Sequence, residues 1–522
     1  MILQQLLTDL GSHNLTGDAM TPIAGLAFDS RQVQKGYLFV AIAGKETDGH
    51  QFIDSAIKNG AAAVIGERSR RELAISDRIA YIQVPDSRQT LAALAAAWYG
   101  HPGRKMTVIG VTGTDGKTTT VNLIQSIMAA AGHKTGMIST VNALIGNHYQ
   151  DTGLHVTTPD ALQVQSLLAQ MVQADTEIAI LETTSHGLAQ HRVSNAEFDV
   201  AVVTNITHEH LDYHGSWEQY CADKAKLFHM LSTSIRKPGT PKCAVLNVDD
   251  QSFAHLKPIP ADIYVTYGLE RPADVTASNL AIADGKRTFT VNAPQTEFDI
   301  SSALTERFNV YNILAAVSAA LALNVPIEAI QKGVTNLELV IGRMERIDEG
   351  QDFTAIVDFA HTPNGLQRAL ESLRPQTDGK LIAVFGSAGL RDVYKREMMG
   401  RVSGRLADVT VITAEDPRTE ALDTIIDQIA QGCEAEGARE GTGYFRVPDR
   451  SEAIAFAVSL ARPGDIVVTC GKAHEQSMCF GSTEYPWSEH QALRAALLTK
   501  LGRPGEIVAP KLPTSPAKRA KS

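Results

Sequence analysis

The chain is short of most features that mark secreted, membrane or nucleic-acid-binding proteins. Its 522 residues include only five cysteines, Cys221, Cys243, Cys433, Cys470 and Cys479. Their number is odd, their spacing is wide and no C-x-x-C occurs. This excludes a disulfide scaffold and a structural zinc site, and it points to a reducing cytoplasm. Positive charge is also in deficit: 48 Lys and Arg against 58 Asp and Glu give a formal charge of −10. No electrostatic footprint for nucleic acid is therefore present. No apolar run is long enough to span a bilayer, so membrane insertion is not expected. The opening MILQQLLTDLGSHNL lacks the basic region and apolar stretch of a signal peptide. Short-period repeats and low-complexity core segments are missing as well. The one charge-biased stretch follows Gly502, is rich in Pro and Lys, and is expected to be a disordered tail over 503–522.

What is present is ordinary apolar content in a chain long enough for about three domains. Its most informative stretch is MTVIGVTGTDGKTTT (106–120). A β-type apolar run leads into a glycine loop, and a helical pattern follows from Val121. Glycines allow backbone N–H groups to wrap phosphate oxygens, Lys117 would reach the β/γ-phosphates, and the Thr118 hydroxyl would ligate Mg²⁺. The helix N-terminus adds its positive dipole end. The strict G-x-x-x-x-G-K-[ST] pattern requires Gly where Val111 stands, so the match is to a variant, G-x-x-G-T-x-G-K-T. Strand and helix nevertheless lie on the correct sides of the loop.

Three sections follow one another. The first, 1–102, holds strand-like LFVAI (38–42) and AAAVIG (61–66) around a helical stretch near Phe52 to Asn59. The second, 103–341, adds EIAILETT (177–184), FDVAVVTNI (198–206) and CAVLNVD (243–249) to the phosphate loop. The third, 342–502, repeats the alternation with FTAIVDFA (353–360), KLIAVFGS (380–387), ADVTVITA (407–414) and DIVVTCG (465–471). Strands alternating with helices predict an α/β protein of three domains: a smaller N-terminal α/β domain, a central P-loop ATPase domain and a C-terminal Rossmann-like domain. The last two are mostly parallel, doubly wound sheets. Ligands of such sheets bind at the carboxyl ends of the strands, where Glu182, Asn205, Asp358, Arg391, Glu415 and Lys472 fall.

Glu182 closes a strand facing the phosphate loop and suits a Mg²⁺ that also holds phosphates; a solvated strand-end acid has the same sequence. THEHLDYH (207–214) clusters histidines and acids without the H-E-x-x-H spacing of a zinc hydrolase, which leaves a loop offering one His to Mg²⁺. Lys224, in the helical SWEQYCADKAKLF, reads alone as a surface lysine; beside Mg²⁺ it would instead be a carbamate, a cation turned into a metal-orienting anion. RDVYKRE (391–397) and AEDPRTE (414–420) offer Arg391 and Arg418 for carboxylates, and Glu415 and Asp416 for ammonium groups. Together they make an amino-acid pocket, unless they are solvated strand-end loops.

Taken in order, DSR (29–31), GTDGKTTT (113–120), TTPD (157–160), SHGLAQHRV (185–193), TNITHEHLDYHG (204–215), YCADKAKLF (220–228), FNVYN (308–312), GRME (342–345), DFAHTPNGL (358–366), FGSAGLRD (385–392), EDPR (415–418) and GKAHE (471–475) resemble the ATP-dependent Mur ligases of peptidoglycan synthesis. The resemblance runs from about Asp29 to about Glu475. It implies an enzyme that uses ATP and Mg²⁺ to add a diamino acid to UDP-N-acetylmuramoyl-L-alanyl-D-glutamate. It implies uridine-nucleotide contacts for Ser30, Lys45, Glu46 and Thr47, and muramoyl-dipeptide contacts for Thr157, Thr158, Thr184, Gln190 and Arg192. ATP contacts fall to Gly113, Thr114, Asp115, Gly116, Lys117, Thr118 and Thr119, with Asn309, Arg343, Asp358 and His361 around them. Metal ligation falls to Thr118, Glu182, His210 and a carbamylated Lys224, and the catalytic set is Lys117, Glu182, His210 and Lys224. The incoming amino acid would meet Arg391, Glu415, Asp416, Pro417, Arg418, Gly471 and Glu475.

Three departures stand out. Thr184 replaces a usual Ser and keeps its hydroxyl. Ala473 stands where Gly is usual. The pocket motif, usually DNPR in diaminopimelate enzymes, is Glu415-Asp416-Pro417-Arg418. Arg418 fits the distal carboxylate of meso-diaminopimelate, whereas the added charge of Asp416 favours the bare ammonium of L-lysine or L-ornithine. The implied chemistry is an acyl phosphate attacked by an amine, with His361 as candidate base and hinges near 103 and 342. A folylpolyglutamate-type ligase shares the loop and the lysine but would lack the uridine-binding first section. A non-catalytic relative would have lost Lys117, Glu182 or Lys224. A monomer is expected.

Overall fold

The computed structural model describes residues 1–44, 47–73, 75–76, 78–150, 158–207 and 211–515. Three separate sheets, each with apolar clusters on both faces, carry the chain. The first has the spatial order Asn14–Thr16, Ala80–Gln83, Ala63–Gly66, Tyr37–Val40, Gly25–Ala27, parallel except for its first pair.

The central sheet has eight strands in the order Ile263–Tyr267, Cys243–Asn247, Val200–Val203, Thr107–Thr112, Ile178–Glu182, Thr135–Ile138, Ala143–Ile145, His148–Gln150. The first six run parallel. Covered on both faces, these strands read as unbroken apolar runs rather than alternations. The third sheet has six strands, Glu345–Ile347, Thr354–Asp358, Ile466–Cys470, Leu381–Phe385, Val409–Ile412 and Tyr444–Arg446, antiparallel only at its first pair. The α/β class and the doubly wound sheets expected from the alternation are therefore found.

Two features differ from expectation. The central section also builds an antiparallel meander, Thr276–Ala283, Lys286–Ala293 and Thr296–Ser302. The segment after Gly502 is not loose as far as it is described. Leu512 is fully buried in the third core, Ser451 Oγ donates to the Pro510 carbonyl at 2.7 Å, and Thr514 and Ser515 hydroxyls both donate to Asp449 at 2.8 Å. One buried leucine and three side-chain hydrogen bonds offset the chain entropy that the Pro- and Lys-rich composition suggested would prevail. Among the described residues, no helix is long and apolar enough to cross a membrane.

Candidate active site

The strand Thr107–Thr112 ends at Gly113, and the helix Lys117–Ala130 begins directly after Gly116. Both glycines have positive φ, +151° and +83°. A Cβ on Gly113 would lie 1.8 Å from Thr204 Oγ1, and one on Gly116 2.2 Å from Asn312 Oδ1. The loop is thus clamped so closely that only glycine fits. The neighbouring strand end holds it: Thr114 N–H donates to the Asn205 carbonyl at 2.7 Å, while Thr204 Oγ1 and Asn205 Nδ2 donate to the Asp115 carbonyl at 2.6 and 3.0 Å. Asn205, which the sequence placed at a strand end without a role, is a brace of this loop. Lys117 Nζ donates to the Thr114 carbonyl at 2.7 Å.

Glu182 ends the adjacent strand, in register beside Val111. Its buried carboxylate accepts from Thr118 Oγ1 at 3.0 and 3.1 Å and from the Thr140 N–H at 3.0 Å. Lys224 lies on the helix Trp217–Thr233, 1 % exposed, with Nζ donating to the Gly113 carbonyl at 2.6 Å and lying 4.6 Å from the Tyr220 ring centre. It is not a surface lysine. Thr158 donates to the Glu182 carbonyl at 3.1 Å and pairs with Thr184 Oγ1 at 3.1 Å; Arg192 donates to the Thr158 carbonyl at 2.8 Å and forks onto Gln190 at 2.7 and 3.1 Å. His210, Lys45, Glu46 and Thr157 lie outside the described residues.

The third sheet supplies the opposite wall. Arg343 donates to Thr118 Oγ1 at 3.1 Å and stacks 4.5 Å from the Phe359 ring. Burial pushes the Arg343 pKa down against the pull of Asp358 and Glu182. Burial pushes Asp358 up, although Arg343 and the N–H groups of Met344 and Ala360, each at 2.8 Å, favour its charged form. His361 Nδ1 contacts the Phe359 carbonyl at 2.9 Å, and Asn309 Nδ2 donates to Glu306 at 2.9 Å.

The suggested amino-acid pocket sits at the carboxyl ends of the strands Val409–Ile412 and Ile466–Cys470. Glu415 is buried, and its Oε2 has no hydrogen-bond partner among the described residues. It faces Gly471, where a Cβ would lie 2.2 Å from that oxygen. Burial raises the Glu415 pKa, with Lys395, Arg450 and Lys472 pulling the other way. Asp416 is not the unopposed anion its sequence position suggested. The fully buried Lys472 donates to it at 3.0 and 3.1 Å and also pairs with Glu475, and the Cys479 N–H donates to it at 2.9 Å. Arg418 donates to the Gly389 carbonyl at 3.2 Å; Asp416 and Arg418 both hold left-handed backbone at φ 42° and 54°, and Pro417 between them is buried.

One cleft of about 2680 Å³ joins these groups. Thr47, the loop from Thr114 to Thr119, Thr158, Glu182, Thr184, Gln190, Arg192, Asn309, Arg343, Asp358, His361, Arg391, Glu415, Asp416, Arg418, Gly471 and Glu475 all line it, whereas Gly113, Lys224 and Pro417 do not. Ser30 is buried beyond it and offers its carbonyl to Asn59 at 2.8 Å. The cleft also takes in His186, Asn364, Lys395 and His474, which stood in quoted motifs without a role, and Arg88, which stood in none. Among the described residues, no group of three His, Cys, Asp or Glu side chains forms a metal cage. The facing oxygens of Thr118 and Glu182 nonetheless suit a hard cation that takes its other ligands from phosphate.

Comparison with known proteins agrees with this geometry. Residues 22–99 match the family model described as Mur ligase family, catalytic domain; 111–320 match the Mur ligase middle domain; 342–473 match the Mur ligase, glutamate ligase domain. A UDP-N-acetylmuramyl-tripeptide synthetase of Roseiflexus sp. is 44% identical over 91% of this chain and 94% of its own length. A UDP-N-acetylmuramoyl-L-alanyl-D-glutamate–2,6-diaminopimelate ligase of Geobacillus thermodenitrificans is 39% identical over 95% and 99%. A solved structure of a ligase with the same description superposes with a TM-score of 0.64 at 30% identity, covering 96% of this chain and 99% of that one.

Proposed function

The chain belongs to the Mur ligase family, and we propose that it adds meso-diaminopimelate to UDP-N-acetylmuramoyl-L-alanyl-D-glutamate. The reaction class is ATP-dependent amide ligation in peptidoglycan synthesis, in keeping with relatives named as a UDP-N-acetylmuramyl-tripeptide synthetase and as ligases of 2,6-diaminopimelate. The observation that supports diaminopimelate over lysine or ornithine is the Asp416–Lys472 pair. A carboxylate already paired with a buried ammonium, even one shared with Glu475, is less well placed to select a second one, and two arginines, Arg391 and Arg418, line the same cleft.

The D-glutamyl side-chain carboxylate attacks the γ-phosphorus of ATP and yields an acyl phosphate and ADP. The neutral amine of the diamino acid then attacks the acyl carbon. The tetrahedral intermediate collapses to an amide as inorganic phosphate leaves and a proton is lost from nitrogen. Carboxylate is a poor electrophile, and phosphorylation supplies its leaving group. Lys117 and the loop N–H groups hold the phosphates, and Arg343 approaches from the opposite wall. Thr118 and Glu182, with His210 and a carbamylated Lys224, would hold Mg²⁺, which when bound neutralises phosphate charge. Arg192, Gln190, Thr184 and Thr158 orient the muramoyl-peptide, and the loop at Thr47 bears on the uridine end. His361 lies beside the nucleotide wall and is the proposed base. The cytoplasm is the proposed compartment, supported by five cysteines none of which is paired.

The test is phosphate release with UDP-muramoyl-dipeptide, ATP and Mg²⁺, adding meso-diaminopimelate, L-lysine or L-ornithine separately. Strong stimulation by diaminopimelate alone is expected. Stimulation by lysine or ornithine instead would assign the selectivity to Asp416 and overturn the choice of substrate, and no response to any of the three would overturn the third-residue assignment.

A further inference from the structure

Arg450 and Glu489 are both completely buried, yet neither lines the cleft. They form a two-pronged ion pair: Arg450 Nε donates to Glu489 Oε2 at 2.9 Å and Nη2 to Oε1 at 2.8 Å. Trp487 Nε1 also donates to Oε2 at 2.9 Å. Two further guanidinium N–H groups donate to backbone carbonyls, Ala414 at 3.0 Å through Nη1 and Cys470 at 2.7 Å through Nη2. These carbonyls immediately precede Glu415 and Gly471. They belong to the ends of two strands that are not neighbours, since Leu381–Phe385 runs between them. No ladder hydrogen bond joins these two strands directly, so the sheet ties them only through the strand between, and the guanidinium adds a direct tie from behind the pocket.

The same two helices are tied a second time. Arg450 is the first residue of the helix Arg450–Leu460, and Glu489 the first of Glu489–Lys500. The segment after Gly502 spans both helix starts. Gln491 Nε2 donates to the Val508 carbonyl at 2.6 Å, Ser451 to Pro510 at 2.7 Å, and Thr514 and Ser515 to the helix-capping Asp449, while Leu512 is buried in the core.

We propose that Arg450 is a positioning residue for the diamino-acid pocket, held by Glu489 and by the strap 508–515. The proposal rests on the reading of Glu415, Arg418 and Gly471 as that pocket. A buried ion pair by itself argues weakly for stability, but one whose donors end on two pocket carbonyls sets the distance between pocket walls. A misplacement of about 1 Å at a positioned group costs on the order of 10²-fold.

Arg450→Lys, Glu489→Gln and Leu512→Ala in the full chain are the test, with KM measured separately for ATP, UDP-muramoyl-dipeptide and the diamino acid. The expected result is a rise of roughly tenfold or more in the KM for the diamino acid with Arg450→Lys and Glu489→Gln, a smaller rise with Leu512→Ala, and the other two KM values held within about twofold. Should Arg450→Lys fail to fold, Glu489→Gln keeps the side-chain shape and the acceptor for Trp487 and carries the test. Equal changes in all three KM values, or a loss of kcat alone, would mean a merely structural pair and overturn the proposal. Arg418→Ala is the control. If it raises the diamino-acid KM while the Arg450 and Glu489 variants do not, the positioning role fails alone. If it too leaves that KM unchanged, the pocket reading fails and takes the positioning role with it.

Discussion

His474 shows how the packed wall of the cleft couples pH to stability. Burial, and then the cations Arg343 and Lys472, lower its pKa to about 3, and its Nδ1 has no hydrogen-bond partner among the described residues. The unfolded chain binds this proton near pH 6.5 and the folded chain near 3, so between those values the unfolded state holds more protons. Its stabilising contribution is complete above about pH 6.5 and is lost as pH falls towards 3, at no more than about 1.4 kcal/mol per pH unit. His474→Gln is expected to flatten the fall of urea-unfolding free energy between pH 6.5 and 4, and an unchanged slope would assign the acid sensitivity elsewhere. Lys224 makes a second residue-scale case. Reaction with CO₂ needs a neutral amine, a form that removal from water favours in general. In the presence of ¹³C-bicarbonate, the protein is expected to give a carbamate resonance that Lys224→Ala lacks, and that variant is expected to lose phosphate release by on the order of 10²-fold or more. Full activity of Lys224→Ala would remove the carbamate from the mechanism.

At the scale of elements, the phosphate loop is shaped by what presses on it. Gly116 combines φ +83° with Asn312 Oδ1 at 2.2 Å from a would-be Cβ. Gly116→Ala is expected to weaken ADP binding, measured by calorimetry, through both clash and backbone strain. Adding Asn312→Ala should recover the part due to the clash and leave about 1–3 kcal/mol of strain; no recovery would show that strain alone accounts for the loss. This loop was legible in the sequence because its glycines, lysine and threonine are contiguous and flanked by a strand and a helix of the right period. The parallel strands were legible for a similar reason: covered on both faces, they must be apolar throughout. The meander Thr276–Ser302 was not, since its first strand is largely exposed and polar residues interrupt its alternation. The strap after Gly502 was hidden by composition, because one buried leucine does not alter a Pro- and Lys-rich count. Arg450 and Glu489 lie 39 residues apart, and only the fold brings their charges together. Asp416 was legible as an acid at the pocket, but its pairing with Lys472 depends on a chain segment 56 residues away.

At the scale of the molecule, chemistry requires the third domain to reach the phosphate loop of the second, and a few polar contacts make that approach. Asn364, on the helix Pro363–Leu373, donates through one amide nitrogen to Asp115 Oδ2 at 3.1 Å and Thr207 Oγ1 at 3.2 Å. Arg368, one turn further on, stands 3.8 Å from the same Asp115 carboxylate. Arg343 reaches Thr118 from the same side. None of these contacts is apolar, and water can replace each of them. A typical net value of about 0.5–1.5 kcal/mol for each such bond corresponds to a few-fold to tenfold in the population of the closed form. Asn364→Ala leaves the ligand-lining residues Lys117, Glu182 and Arg418 in place and removes both bonds made by its amide. It is therefore expected to lower kcat a few-fold to tenfold, to leave the thermal midpoint nearly unchanged, and to reduce the compaction that nucleotide and UDP-muramoyl-dipeptide produce in small-angle scattering. A kcat and a compaction equal to those of the native chain would show that closure is driven by the substrates alone and that the Asp115 contact follows it.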